Sequence, residues 1–144
     1  MIIADTGFWL ALANRRDAFH ERAKEALQQH GDERFVVTWP VMTEVAYLLL
    51  DRLVPAAHAH FLRSHALGAF QIADPALHPP DKIVPLLVKY RDLPMDLADA
   101  SLVLLAEALG HGRILSTDQR DFGAYRWKAH EPFENLLSSE IRAR

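Results

Sequence analysis

The chain contains no cysteine among its 144 residues. Disulfide staples and thiolate metal sites are thereby excluded, and a reducing, cytoplasmic compartment is expected. No apolar run approaches the ~20 residues that a bilayer-crossing helix needs. The opening Met1-Ile2-Ile3-Ala4-Asp5 lacks the basic segment and longer apolar stretch of a secretory signal, so it reads as a first strand. Positive charge is not in excess either: 16 Lys and Arg stand against 19 Asp and Glu, for a formal net charge of −3. Bulk electrostatics therefore gives no warrant for nucleic-acid binding, and any such case rests on local charge. Repeats, low-complexity tracts and linkers are also missing. Half of the residues are hydrophobic, enough at this length to bury a core unaided, and one domain over residues 1–144 is expected.

What is present is an alternation of short apolar runs with helical stretches. Residues 2–5 read as a buried strand, and Phe8 to Leu12 start a helix after a break at Gly7. Asp17 is placed to cap a helix over 18–29 that Gly31 ends, and Phe35-Val36-Val37 is a second strand. Pro40 opens a helix running to Arg52, with Val41, Val45, Leu48 and Leu49 on its stripe. Pro55 opens another, to about Ala66, before a brief strand at residues 70–72. Residues 75–90 read as helical, with Pro79, Pro80 and Pro85 delaying or kinking the start. From Asp96 to Leu109 the pattern predicts a helix with Leu97, Ala100, Leu104 and Ala108 on one stripe and Gly110 as its stop. A strand at 113–115, a short helix to about Phe122 and a last strand near 125–127 follow. The fold class is α/β: a single compact domain with a central, mostly parallel sheet of four or five short strands flanked by helices.

Four acids sit at the ends of these elements. Asp5 and Asp118 follow strands, at the carboxyl edge where open parallel sheets gather ligands, while Glu44 and Asp99 fall early in apolar helices. A carboxylate set among apolar neighbours loses hydration and needs a cation or strong donors in return. With no Lys or Arg on the apolar side of Glu44 or Asp99, a divalent ion is the simplest partner, and an all-oxygen set suits Mg²⁺ or Mn²⁺. Asp96 shares a helix face with Asp99, Asp121 stands three residues after Asp118, and the hydroxyls of Thr6 and Thr117 lie beside two of the acids, so these four residues are accessory candidates. Each acid also has an ordinary role open to it, as a helix cap or a partner of the helix dipole. Arg15, Arg16, Lys89, Arg91, Arg120, Arg126 and Lys128 fall near the loops that bear the acids and would ring an acidic pit.

Asp5-Thr6 after a short strand, Thr43-Glu44 in a helix, Asp96-Leu97-Ala98-Asp99-Ala100 opening a helix, and Thr117-Asp118-Gln119-Arg120-Asp121-Phe122 after a strand resemble the four acidic motifs of PIN domain ribonucleases. Their order and spacing cover residues 5–122, and the small size is similar to that of VapC-type toxins from bacterial toxin-antitoxin pairs. The resemblance implies a compact α/β fold and Mg²⁺- or Mn²⁺-dependent cleavage of RNA, with Asp5, Glu44, Asp99 and Asp118 as the catalytic, metal-holding positions. It further implies a homodimer and a small antitoxin partner that occupies the acidic groove, often with a cation. Gly7 is a departure, standing where the family more often has Ser. A PIN nuclease of RNA processing or decay outside a toxin pair, and a catalytically silent PIN-like binding module, are the alternative readings.

Asp5-Thr6-Gly7 also spells the active-site triplet of aspartic proteases, but that fold is almost wholly β and the helical stripes here oppose it. A phospho-acceptor receiver domain would want a paired acid beside the first strand and a late Lys after a strand, and neither is apparent. His20, His58, His60, His65, His78 and His111 read as surface residues, and Trp9, Trp39 and Trp127 as packing groups in the core or a dimer.

Overall fold

The computed structural model of the protein describes residues 1–137. Among them are seven short strands: β1 (Ile2–Ala4), β2 (Phe35–Val37), β3 (Gln71–Ile72), β4 (Arg113–Leu115), β5 (Arg126–Trp127), β6 (Glu131–Pro132) and β7 (Glu134–Asn135). The α-helices are α1 (Thr6–Ala13), α2 (His20–Gln29), α3 (Trp39–Arg52), α4 (Pro55–Ala66), α5 (Pro80–Lys89), α6 (Leu97–Leu109) and α7 (Gln119–Ala124). Five strands form one sheet in the order β3-β2-β1-β4-β7, every neighbouring pair parallel. Every residue of β1 and β2 is buried, as parallel strands covered on both faces must be. The two flanking crossovers make β1 the centre, with Ile3 registered against both Val36 and Ile114.

The central strand hands the chain directly to a helix. Asp5 closes β1 and caps α1, so the helix begins at Thr6 and takes in Gly7, where the sequence places a break. Thr38 caps α3, with Pro40 in the first turn where its missing N–H costs nothing. Val41, Val45 and Leu49 are buried as anticipated, joined by Met42, while Leu48 is only half-buried. Asp96 caps α6 and Gly110 ends it in the left-handed region at φ 79°.

Several elements differ from expectation for physical reasons. The stripe assigned to α6 is not its buried face: Leu97 is 53% exposed and Ala108 is exposed, whereas every residue from Ala100 to Ala106 is buried. Packed against α3, α5 and β5, α6 is enclosed, and a helix apolar on all sides carries no phase to read. Asp17 accepts from the N–H of Phe19, and α2 starts later, at His20. The proline-rich stretch splits into a 3₁₀ turn, Pro75–Leu77, and α5, whose first residue is Pro80. Arg126–Trp127 pairs antiparallel with Glu131–Pro132 outside the main sheet, and the fifth parallel strand is the unforeseen Glu134–Asn135.

Of the six histidines read as surface residues, only His60 is exposed. The Nδ1 atoms of His20, His58 and His65 stand 2.7, 2.7 and 3.0 Å from the carbonyl oxygens of Ala11, Ala46 and Phe70. Trp9 packs among Phe8, Phe35, Phe61 and Phe70, while Trp39 is 47% exposed.

Candidate active site

The carboxyl ends of β1 and β4 and the first turns of α1, α6 and α7 open onto one cleft of about 310 Å³. Asp5, Glu44, Asp99 and Asp118 all line it, as do Asp96, Asp121, Thr6 and Thr117. Residues separated by more than a hundred positions share this cleft because parallel strands deliver successive loops to the same edge.

Asp5 is the most enclosed of the acids, 6% exposed. Its Oδ1 accepts from the N–H of Thr6 at 2.6 Å and its Oδ2 from the hydroxyl of Ser116 at 2.8 Å. Burial pushes its pKa up to about 6; these two donors oppose that rise, and the charges of Glu44 and Asp118 add to it. Thr6 serves a second acid, since its hydroxyl donates to Oε1 of Glu44 at 2.5 Å. Glu44 thereby reaches the cleft from the second turn of α3, a turn later than its assignment to the helix start.

Asp99 is pushed up to about 8 by burial, then by the charges of Asp96 and Asp5. Its Oδ2 accepts from the hydroxyl of Tyr125 at 3.1 Å. Asp96 itself caps α6, accepting from the N–H of Asp99 at 2.8 Å. Asp118 caps α7 in the same way, accepting from the N–H of Asp121 at 3.0 Å, and burial raises its pKa as well. Capping and cleft lining are thus not alternatives, because a carboxylate has about four lone-pair sites and a cap uses one.

No ion pair among the described residues includes Asp5, Glu44, Asp99 or Asp118. Of the seven cations expected around the pit, only Arg120 lines it, with Nε 3.3 Å from Asp121. Arg15 and Arg16 follow the far end of α1, about 12 Å along the helix from Asp5. Arg126 donates to the carbonyls of Gly123 and Tyr125, and Arg91 to that of Val88.

The donor set fits a hard divalent cation: all oxygen, anionic and crowded, with Asp5, Asp99 and Asp118 pushed up by burial. Among the described residues no three of these acids close on a single point as a finished cage. Mg²⁺ needs no such cage, since it keeps several waters and takes one or two carboxylates beside substrate phosphates.

Sequence reasoning missed Ser116, Tyr125 and Asn135. It picked Thr117, one residue late, whereas the fully buried Ser116 donates to Asp5 and accepts from the N–H of Asp118 at 3.0 Å. The signal was available: a hydroxyl two residues before an acid can bond that acid's own N–H. Asn135, on β7, exchanges hydrogen bonds with the main chain of Ser116, accepting at 3.2 Å and donating at 2.9 Å.

Comparison with known proteins bears on the family and the fold. Ribonuclease VapC26 of Mycobacterium tuberculosis (strain ATCC 25618 / H37Rv) is 30% identical over 125 residues, 87% of this chain and 92% of that protein. The crystal structure of Mycobacterium tuberculosis VapC20, described as a sarcin-ricin loop cleaving toxin, matches with a TM-score of 0.71. That match covers 83% of this chain and 92% of the other at 22% identity, a likeness of fold. No protein-family model matches.

Proposed function

The chain belongs to the VapC family of PIN-domain ribonuclease toxins, and we propose that its acidic cleft is where it hydrolyses RNA, with Asp5, Glu44, Asp99 and Asp118 holding Mg²⁺ or Mn²⁺. The observation that carries this reading is the gathering of six carboxylates in one cleft, where the single lining cation, Arg120, pairs with Asp121. Such crowding is costly for a fold unless a ligand compensates it.

Each residue then has a task. Asp5 is fixed by Thr6 and Ser116 as the most buried anchor, while Glu44 is held by Thr6 and Asp118 by its cap. A bound divalent ion supplies Lewis acidity toward the phosphodiester and the attacking water. Arg120, whose side chain is 80% exposed, presents a guanidinium at the rim for a flanking phosphate. Asp96 caps the helix end that carries Asp99, and Asp121 gives its N–H to the cap that Asp118 makes on α7.

Two apolar surfaces support the partner readings. A groove of about 620 Å³, lined by Trp9, Leu12, Leu27, Phe35 and Phe61, begins on the same helix, α1, whose first turn lines the cleft. An antitoxin segment seated there reaches the acids within about two helical turns, which suits a partner that blocks the site with a cation. Trp39, Val84 and Leu97, all about half exposed, surround a second apolar hollow and form the homodimer face. No helix among the described residues is long and apolar enough to cross a membrane, and the cytoplasm, where RNA is met, is the proposed compartment.

The experiment is cleavage of a mixed RNA pool with Mn²⁺, with Mg²⁺ and with EDTA, run beside Asp5→Ala and Asp99→Ala. Loss of cleavage in EDTA and in both variants is expected; equal cleavage in all samples removes the reading. Growth arrest on expression, relieved by a neighbouring reading frame, separates a toxin from a processing enzyme.

A further inference from the structure

We propose that Tyr125 is a positioning residue for the cleft: its hydroxyl, carried on an immobile ring, fixes the orientation of the Asp99 carboxylate toward the cation. This inference rests on the metal-site reading above and goes beyond it by naming a residue outside the acidic set.

Tyr125 is fully buried, yet its hydroxyl ends 3.1 Å from Oδ2 of Asp99, a residue 26 positions earlier on α6. The ring has little freedom. It meets Phe122 edge-on at 5.0 Å and 85°, and Tyr90 at 5.1 Å and 69°. The main chain is held on both sides, since the N–H of Tyr125 donates to the carbonyl of Asp121 at 2.9 Å and the N–H of Arg126 to the hydroxyl of Tyr90 at 3.0 Å.

Asp99 needs such a restraint more than the other acids do. Asp5 has donors on both oxygens, and Asp118 is tied to the start of α7. For Asp99 the side-chain donor is Tyr125, and a hydrogen bond to a carboxylate is of the charge-assisted, orienting kind. A carboxylate free to turn about its last torsion loses that freedom on binding a cation, whereas one already held does not. The short helix α7 thus carries Asp118 at its start and, at its end, the group that aims Asp99.

The test is Mn²⁺ titration of the full chain, read by the loss of the free-ion paramagnetic resonance signal, in wild type, Tyr125→Phe, Tyr90→Phe and Asp99→Asn. Tyr125→Phe keeps the ring and deletes the oxygen. We expect Mn²⁺ affinity to fall about 10-fold or more, the usual effect of losing a group that orients a ligand. Tyr90→Phe leaves Asp99 its hydroxyl donor and deletes only one tie on the main chain beside Tyr125, so its Mn²⁺ affinity should fall less than that of Tyr125→Phe. Adding Tyr125→Phe to Asp99→Asn should cost nothing further, because the hydroxyl acts through that carboxylate. Wild-type affinity in Tyr125→Phe, or an equal loss in Tyr90→Phe, overturns the proposal while leaving the metal reading intact. Absence of Mn²⁺ binding by the wild type, or unchanged binding by Asp99→Asn, overturns the metal reading and this proposal with it. If Tyr125→Phe melts early, the titration is run well below its melting temperature, where wild-type Mn²⁺ affinity still counts against the proposal.

Discussion

A Cβ placed on Gly7 would stand 1.9 Å from Oγ1 of Thr117, so the first turn of α1 and the loop after β4 touch through a space that only a hydrogen can occupy. The Thr117 hydroxyl fills the volume that a side chain at position 7 would take. The departure from the family pattern at Gly7 is therefore matched on the facing loop, inside the cleft that both residues line. Gly7→Ala should destabilise the protein by about 1–2 kcal/mol through overpacking. In a Thr117→Ala background, which removes Oγ1 but keeps the residue-117 Cβ 3.1 Å away, the same change should cost roughly 1 kcal/mol less, helped by the higher helix propensity of Ala. Thermal unfolding of the four proteins measures this coupling, and additive effects would show that the two residues do not compete.

The ion-free protein should lose stability as pH rises from about 4 to 8. Asp5 is raised to about 6 and Asp99 to about 8, so the folded state keeps protons that the unfolded chain has released. Folding is then favoured most by these groups below the ordinary carboxylate pKa and least above the raised values. For Asp5, fully buried, the loss is on the order of 2–3 kcal/mol. Mn²⁺ should reverse it, raising the melting temperature more at pH 8 than at pH 5 and releasing protons as it binds. Melting curves at both pH values, with Mn²⁺ and with EDTA, provide the check; an ion effect independent of pH would contradict the assignment of these acids as its ligands.

The parts of this site that were legible in the sequence were those written locally. A strand followed within three residues by an acid marks Asp5 and Asp118, and an acid early in a capped helix marks Asp99. What escaped depends on contacts across the fold. Nothing near Tyr125 announces a bond to a residue 26 positions away, and Glu134–Asn135 is a strand of two polar residues, held at the sheet edge with no alternation to betray it. The face of α6 was misread because a helix buried on every side has no polar stripe to set its phase. Charge failed for a related reason: Arg15 and Arg16 lie near Asp5 in sequence, but α1 carries them away from it.

Arg120→Ala should weaken RNA binding rather than chemistry. The side chain is the one cation lining the cleft among the described residues, and its exposed tip is available to a phosphate. KM for RNA should rise several-fold with kcat nearly unchanged, and the slope of log affinity against log salt should shrink by about 1. An equal fall in kcat at unchanged KM would place Arg120 in the reaction itself.

Leu27→Glu separates inhibition from cleavage. Leu27 is 39% exposed on α2 and lines the apolar groove, while no residue of α2 lines the acidic cleft. An exposed substitution of this kind changes stability by no more than about 0.5 kcal/mol. Seating a partner's apolar side chain against a carboxylate, however, forfeits a contact worth roughly 1.5–3 kcal/mol and buries a charge besides. Antitoxin affinity should therefore fall on the order of 100-fold or more, while RNA cleavage by the free protein is retained. The measurement is co-expression: cells carrying the variant and the neighbouring reading frame should stop growing where those with the wild-type pair do not. Full protection would move the antitoxin off the groove between α1, α2 and α4 and onto the acidic cleft alone.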